Sequence, residues 1–299
     1  MEVVLLVLGI VAPVFILGLA GFAWARSGTE FPTAFVTRLS FTLSVPCLIY
    51  GALAQADLDR DVLADLALGS LAAYVLACAG LWLMLKIGGL SQRTYLAPLV
   101  FGNTGNIGIP VALFAFGEQG LVYAVVIFAV MAMLSFTWGV WMVSGGGNPK
   151  EALKQPIFYG AALGLASNLT GIAPPEWAMN TIQLTGQMAI PLMLLTLGVS
   201  VARLSVAGVG RAVALSVLRL VVLTAAGLGT ALLFDMDPLV THALVLQLIM
   251  PVAVTSYLMA ERYDADPVSV AGLTVVSTVI AVGVTPLALA LMLGPTAGG

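Results

Sequence analysis

The chain has 299 residues, of which 61% are hydrophobic and only 8% charged, and its mean hydropathy is +1.09. A soluble domain averages about 25% charged residues, so this composition excludes one, and the long unbroken apolar runs exclude the short alternating segments of a β-barrel. The net charge of −3 points to no nucleic acid or other polyanion, and the fold class expected is an all-α integral membrane protein.

A membrane helix needs about 20 mostly apolar residues. On that measure the sequence predicts ten spans: 3–25, 32–54, 62–86, 95–116, 119–143, 155–173, 180–201, 207–234, 239–260 and 268–293. The first lacks the basic flank of a cleavable signal peptide and reads as a retained span. The second carries Ser40, Thr42, Ser44 and Pro46, which either line a wall or bond neighbouring helices. The fourth contains Phe101-Gly-Asn-Thr-Gly-Asn-Ile-Gly-Ile-Pro110. Glycine and asparagine are poor helix formers, and proline removes a backbone donor. Gly102, Gly105 and Gly108 therefore mark a backbone break at mid-depth, with the freed groups turned toward protein or water rather than lipid.

The segment 144–154 is rich in Gly, Pro and Lys and reads as a cytoplasmic linker between a first repeat, 1–143, and a second, 155–299. Gln183, Thr185 and Gln187 of the seventh span likewise either line a wall or bond neighbouring helices. Arg219 falls near the middle of the eighth, where it balances an organic anion, pairs with an acidic group or snorkels to the surface. The ninth is interrupted at Pro251, followed by Thr255 and Ser256.

Basic residues sort to one side. Arg26, Arg38, Lys86, Arg93, Lys150, Lys154, Arg203, Arg211 and Arg262 lie at odd-numbered loops, whereas the even-numbered loops hold Arg60 and the acids Asp57, Asp59, Asp61, Glu118, Glu176, Asp235 and Asp237. Lys and Arg mark cytoplasmic loops, so both termini are expected outside. Five spans per half then place the two halves in opposite orientations. Pro46 and Pro191 occupy matching positions in the halves, and so do Pro110 and Pro251. Interrupted segments at corresponding places point to an inverted-repeat transporter with its site at the interruptions. Helices restarting at Pro110 and Pro251 would aim their positive N-terminal ends at the midplane and make an anion site without a lysine. Asn103, Asn106, Thr255 and Ser256 are donors for a carboxylate there, or caps of the broken ends.

Other chemistry is thinly represented. Cys47 and Cys78 lie in apolar runs and read as packing, no metal-ligand spacing occurs, and the single His242 builds no catalytic cluster. Without a paired Asp, a Ser/His dyad or a metal motif, an enzyme is not expected.

The segments Gly102–Pro110, Met250-Pro-Val-Ala-Val254, Ala260-Glu-Arg-Tyr-Asp264 and Ser277-Thr-Val-Ile280 resemble the auxin efflux carrier (PIN-like) family, in its compact bacterial branch. The resemblance implies the ten-helix inverted-repeat fold of the bile-acid/sodium symporters. Spans 1, 2, 6 and 7 would form a scaffold and dimer contact, and spans 3–5 and 8–10 a transport domain working by an elevator motion. It implies an organic anion, auxin-like or a dicarboxylate such as malate or malonate, held near the crossing of spans 4 and 9 with help from Asn103 and Asn106. Thr255 and Ser256 stand where some members carry an amide. No cofactor is implied. Coupling to protons, or none, is expected ahead of sodium, because no acid lies at mid-membrane; a sodium-coupled bile-acid-type symporter is the alternative.

Overall fold

The computed structural model describes residues 2–56, 60–145, 155–204 and 208–294. All but Ser144 and Gly145 of the expected linker lie outside these residues, as do Asp57 and Asp59. The described residues form helices and no strand, apart from one antiparallel bridge between Gly102 and Val252.

Helix α1 (Glu2–Arg26) is followed by α2 (Thr33–Leu39), a π-helical turn (Ser40–Ser44) and α3 (Val45–Ala54). Next comes α4 (Arg60–Ile87). Helix α5 (Gln92–Val100) stops short, and the chain resumes through a π-helical turn (Thr104–Gly108) into α6 (Ile109–Leu134), a third π turn (Ser135–Gly139) and α7 (Val140–Ser144). The remainder comprises α8 (Pro156–Thr170), α9 (Glu176–Gln187), α10 (Ala189–Arg203), α11 (Val209–Leu233), α12 (Pro238–Ile249), α13 (Val254–Arg262) and α14 (Pro267–Met292).

Among the described residues, seven helical runs are long and apolar enough to cross a membrane. The longest, Thr104–Ser144, has 41 residues. At about 1.5 Å per residue it would reach roughly twice the thickness of a bilayer core. It is folded at Gly117, whose φ of 66° and ψ of −155° only glycine adopts without strain. Both π turns that precede a proline have the same cause. A proline ring collides with the carbonyl four residues back, and the wider turn ending two residues before Pro46 and before Pro110 moves that carbonyl aside.

Helix α1 lies along α10, and α3 lies along α8 and α9. Lipid supplies no hydrophobic drive for such pairs, so close backbone approach has to hold them. Small residues permit it: a Cβ on Gly198 would strike the carbonyl of Gly18, and one on Gly160 would strike that of Pro46. In the other group α11 packs on α4, α12 and α14, and α12 packs on α6. Its interior is mainly apolar, with Leu66, Leu81, Leu99, Ile127, Leu223 and Leu244 wholly buried beside a few polar side chains such as Gln247 and Arg219. The groups meet where α1 touches α6 and α14, and where α10 faces the π turn 104–108.

Candidate functional site at the helix crossing

The interruptions expected in the fourth and ninth spans are present, and they meet. After α5 the chain is extended at Phe101, and Gly102 pairs with Val252. The backbone N–H of Asn103 donates to the Pro251 carbonyl at 2.6 Å, and that of Val252 donates to Ser277 Oγ at 3.1 Å. Gly102 allows this approach, since a Cβ there would lie 2.8 Å from the Met250 carbonyl. Gly105 and Gly108 serve packing, against the Phe128 ring and the Gln247 amide respectively.

The helical restarts differ from the expectation. The fourth-span helix resumes at Thr104, so Pro110 is an interior residue and not the first. The Asn103 carbonyl accepts from the N–H groups of Ile107 and Gly108, and this starts a turn upstream of the proline. The ninth-span helix resumes at Val254, leaving Pro251 in the extended link, where its carbonyl is held by Asn103.

A cavity of about 260 Å³ lies between the restarted helices and the α1–α3 and α8–α10 group. Its polar lining includes Asn106, Thr255, Ser40, Thr196 and Ser200, with Arg203 at its edge. Asn106 is 8% exposed, and its Oδ1 has no partner among the described residues; the buried Thr196 Oγ1 is likewise free. Val254 and Thr255, the first two residues of α13, form part of the wall. The exposed Arg203 donates to Thr33 Oγ1 at 2.7 Å and to the Phe31 carbonyl at 3.1 Å.

Other expected residues lie elsewhere. Asn103 is buried behind the cavity with an unpartnered Nδ2. Ser256 and Pro110 are not in the cavity wall. Arg219 is 1% exposed, which rules out snorkelling. With Pro251, Ser216 and Ser277 it lines a separate void of only about 10 Å³. Gln183 and Gln187 line a third space of about 720 Å³, together with Glu118 and Cys47, toward the acidic loops. Along the helices that border both larger spaces, Ser44, Val45, Ile109 and Pro110 lie between them and are buried.

Two functional candidates escaped the sequence reading. Arg203 registers in the sequence only as a loop charge, yet it stands at the cavity edge. Gln247 is fully buried in α12, and neither end of its amide has a partner among the described residues. The signal was present as a single amide in an otherwise apolar run, Ala243–Met250.

Helices with interrupted middles, paired through their backbones around buried amides, define a multi-pass membrane protein with an internal polar site. The chain belongs to the membrane transport protein family, the auxin efflux carrier-type transporters, whose profile matches residues 6–149 and 146–289. It is similar to an uncharacterized transporter of Methanothermobacter thermautotrophicus, 28% identical over 271 residues that cover 84% of this chain and 86% of that protein. It is also similar to an uncharacterized transporter of Methanocaldococcus jannaschii, 27% identical over 194 residues; the match spans 60% of each chain.

Proposed function

We propose that this protein is a secondary carrier of small organic anions, such as an auxin-like acid or a dicarboxylate of the malate or malonate type. One observation carries the reading: the first turns of both restarted helices, with Asn106 and Thr255, border a single cavity. A helix N-terminus presents unpaired N–H groups and about half a positive charge. Two of them beside free amide and hydroxyl groups favour a carboxylate, without a lysine. The volume of about 260 Å³ falls below the range of about 300–1,000 Å³ usual for drug-sized ligands, which suits a small solute.

In this reading the chain crosses the membrane ten times, as two inverted five-helix repeats. Helices α1–α3 and α8–α10 are the scaffold, and α4–α7 with α11–α14 are the moving body of an elevator. Both termini lie outside the plasma membrane, and the protein pairs as a homodimer through its scaffold. The cavity is open at the end that carries Arg203, the cytoplasmic end by the distribution of basic residues.

Proteoliposomes loaded with purified protein and given labelled malate, malonate and indole acetate, with and without a proton gradient, test the function. Saturable uptake of at least one carboxylate above empty liposomes is expected. Flat uptake across a broad carboxylate panel, from protein that still melts cooperatively, would overturn it.

A further inference from the structure

The seam between the two helix groups holds a second space, a crevice of about 150 Å³, opposite in character to the amide-lined cavity. Helix α1 supplies one wall, from Val11 through Gly18 to Phe22, and α10 adds Leu197. The facing wall comes from Ile107 of the other group and from Thr278 and Val282 of α14. No charged side chain lines it, and the Thr278 hydroxyl donates to the Thr274 carbonyl at 2.8 Å. The two spaces are one residue apart. Asn106 lines the cavity and Ile107 the crevice; Thr196 and Leu197 divide in the same way. Successive helical residues point about 100° apart, so each pair turns its polar member to one space and its apolar member to the other. What fills the crevice follows from where it opens. Leu19 of α1 and Val282 of α14 stand at its rim, 66% and 49% exposed, on helices long and apolar enough to cross a membrane. The rim therefore faces hydrocarbon, and an apolar void of this size stays dry and takes up hydrocarbon. From Val11 to Phe22 the lining runs about 16 Å along α1, close to the hydrocarbon depth of one leaflet, about 15 Å. One turn beyond, the exposed Arg26 holds its guanidinium over the Phe22 ring, 5.4 Å from the centroid. A cation at the end of an apolar slot one leaflet deep is complementary to a phospholipid with its chain in the slot and its phosphate at the arginine.

We propose that this seam is a binding site for one acyl chain of an anionic phospholipid whose phosphate rests on Arg26. The chain fills a gap that neither helix group closes, and it packs against the apolar side of the wall whose polar side is formed by Asn106 and Thr196. The site is independent of which solute the protein carries.

Gly18 offers a way to plug the slot. It lines the crevice, and a Cβ there would meet nothing within 4 Å, so the side chain of Gly18→Leu extends into open space. The purified full chain in phosphatidylcholine nanodiscs is given a small fraction of phosphatidylglycerol that carries a photoreactive diazirine midway along one acyl chain. Cross-linked peptides are then quantified by mass spectrometry. Val217 and Val221, exposed on α11 at a similar distance from its basic end, report ordinary lipid contact. Adducts on residues 11–22 and 278–285 are expected to exceed those on α11 by at least about fivefold and to fall to the α11 level in Gly18→Leu. They should drop about fivefold in Arg26→Gln, or when the probe carries a phosphatidylcholine headgroup instead. Crevice adducts no denser than those on α11, or unchanged by Gly18→Leu, overturn the acyl-chain site. Equal labelling by the two headgroups, or indifference to Arg26→Gln, overturns the anionic lipid. Should Gly18→Leu fail to melt cooperatively, Val282→Trp at the rim takes its place, with the same loss of crevice adducts expected and the same result overturning the site. A flat carboxylate uptake panel leaves the labelling result standing.

Discussion

Asn106 lies in the π turn that Asn103 immediately precedes, and the two meet different demands. The Asn103 backbone ties the two breaks together, whereas Asn106 lines the cavity, where its amide Nδ2 is the donor a carboxylate needs. Removing an amide whose oxygen has no partner among the described residues costs little stability, while losing a hydrogen bond to a charged ligand costs about 1.5–3 kcal/mol, or roughly 10–150-fold in affinity. Asn106→Ala is therefore expected to keep its melting temperature within about 2 °C and to lose at least about tenfold in uptake affinity. A variant with wild-type uptake kinetics would remove Asn106 from the site. At this scale the sequence is a partial guide. It marks Asn106 and Thr255 because asparagine and threonine are out of place in a lipid-crossing run. It leaves Arg203 and Gln247 unmarked, because a loop arginine and one mid-helix amide have bland explanations until their neighbours are known.

At the scale of elements, the interruptions were legible because breaking residues act locally. Glycine, asparagine and proline weaken a helix wherever they stand; the first break falls in a cluster of them, and the second at the single Pro251. The points of restart were not legible. Pro110 suits a first turn, yet the helix begins upstream at Thr104, because Asn103 is held in place by the long-range bond from its N–H to the Pro251 carbonyl. Gly117 is the sharpest local case, folding a 41-residue run by adopting a conformation other residues avoid. Gly117→Val should destabilise the protein by about 1–3 kcal/mol, read as a lower melting midpoint, because a β-branched residue is strained there. An unchanged midpoint would mean that the bend has another cause.

For the whole molecule, the two larger spaces lie at opposite ends and are separated by buried side chains, so this conformation gives the amide-lined cavity access from one end only. In a background of Cys47→Ser and Cys78→Ser, Thr255→Cys is expected to react with a membrane-impermeant thiol reagent at least about tenfold faster from the cytoplasmic face, and Gln187→Cys from the outer face. A saturating carboxylate should slow the first reaction. Labelling of Thr255→Cys from outside at equal rate would refute both the orientation and the one-sided access. The side chains that build the cavity come from α2, the π turn after it, the π turn 104–108, α10 and α13, so no short window of sequence contains it.

The sequence by itself determined the membrane class and the places where two of the apolar helices break. Those features follow from a rule that acts along the chain: lipid accepts no hydrogen bonds and rejects charge, so every exception is visible where it occurs. Only the tertiary structure decided what the exceptions do. Arg219 meets Leu248, Asn103 meets Pro251 and Arg203 meets Thr33, each across a long stretch of chain. Whether a buried charge or a free amide serves a ligand or a neighbouring helix depends on such partners, and they are brought together by packing.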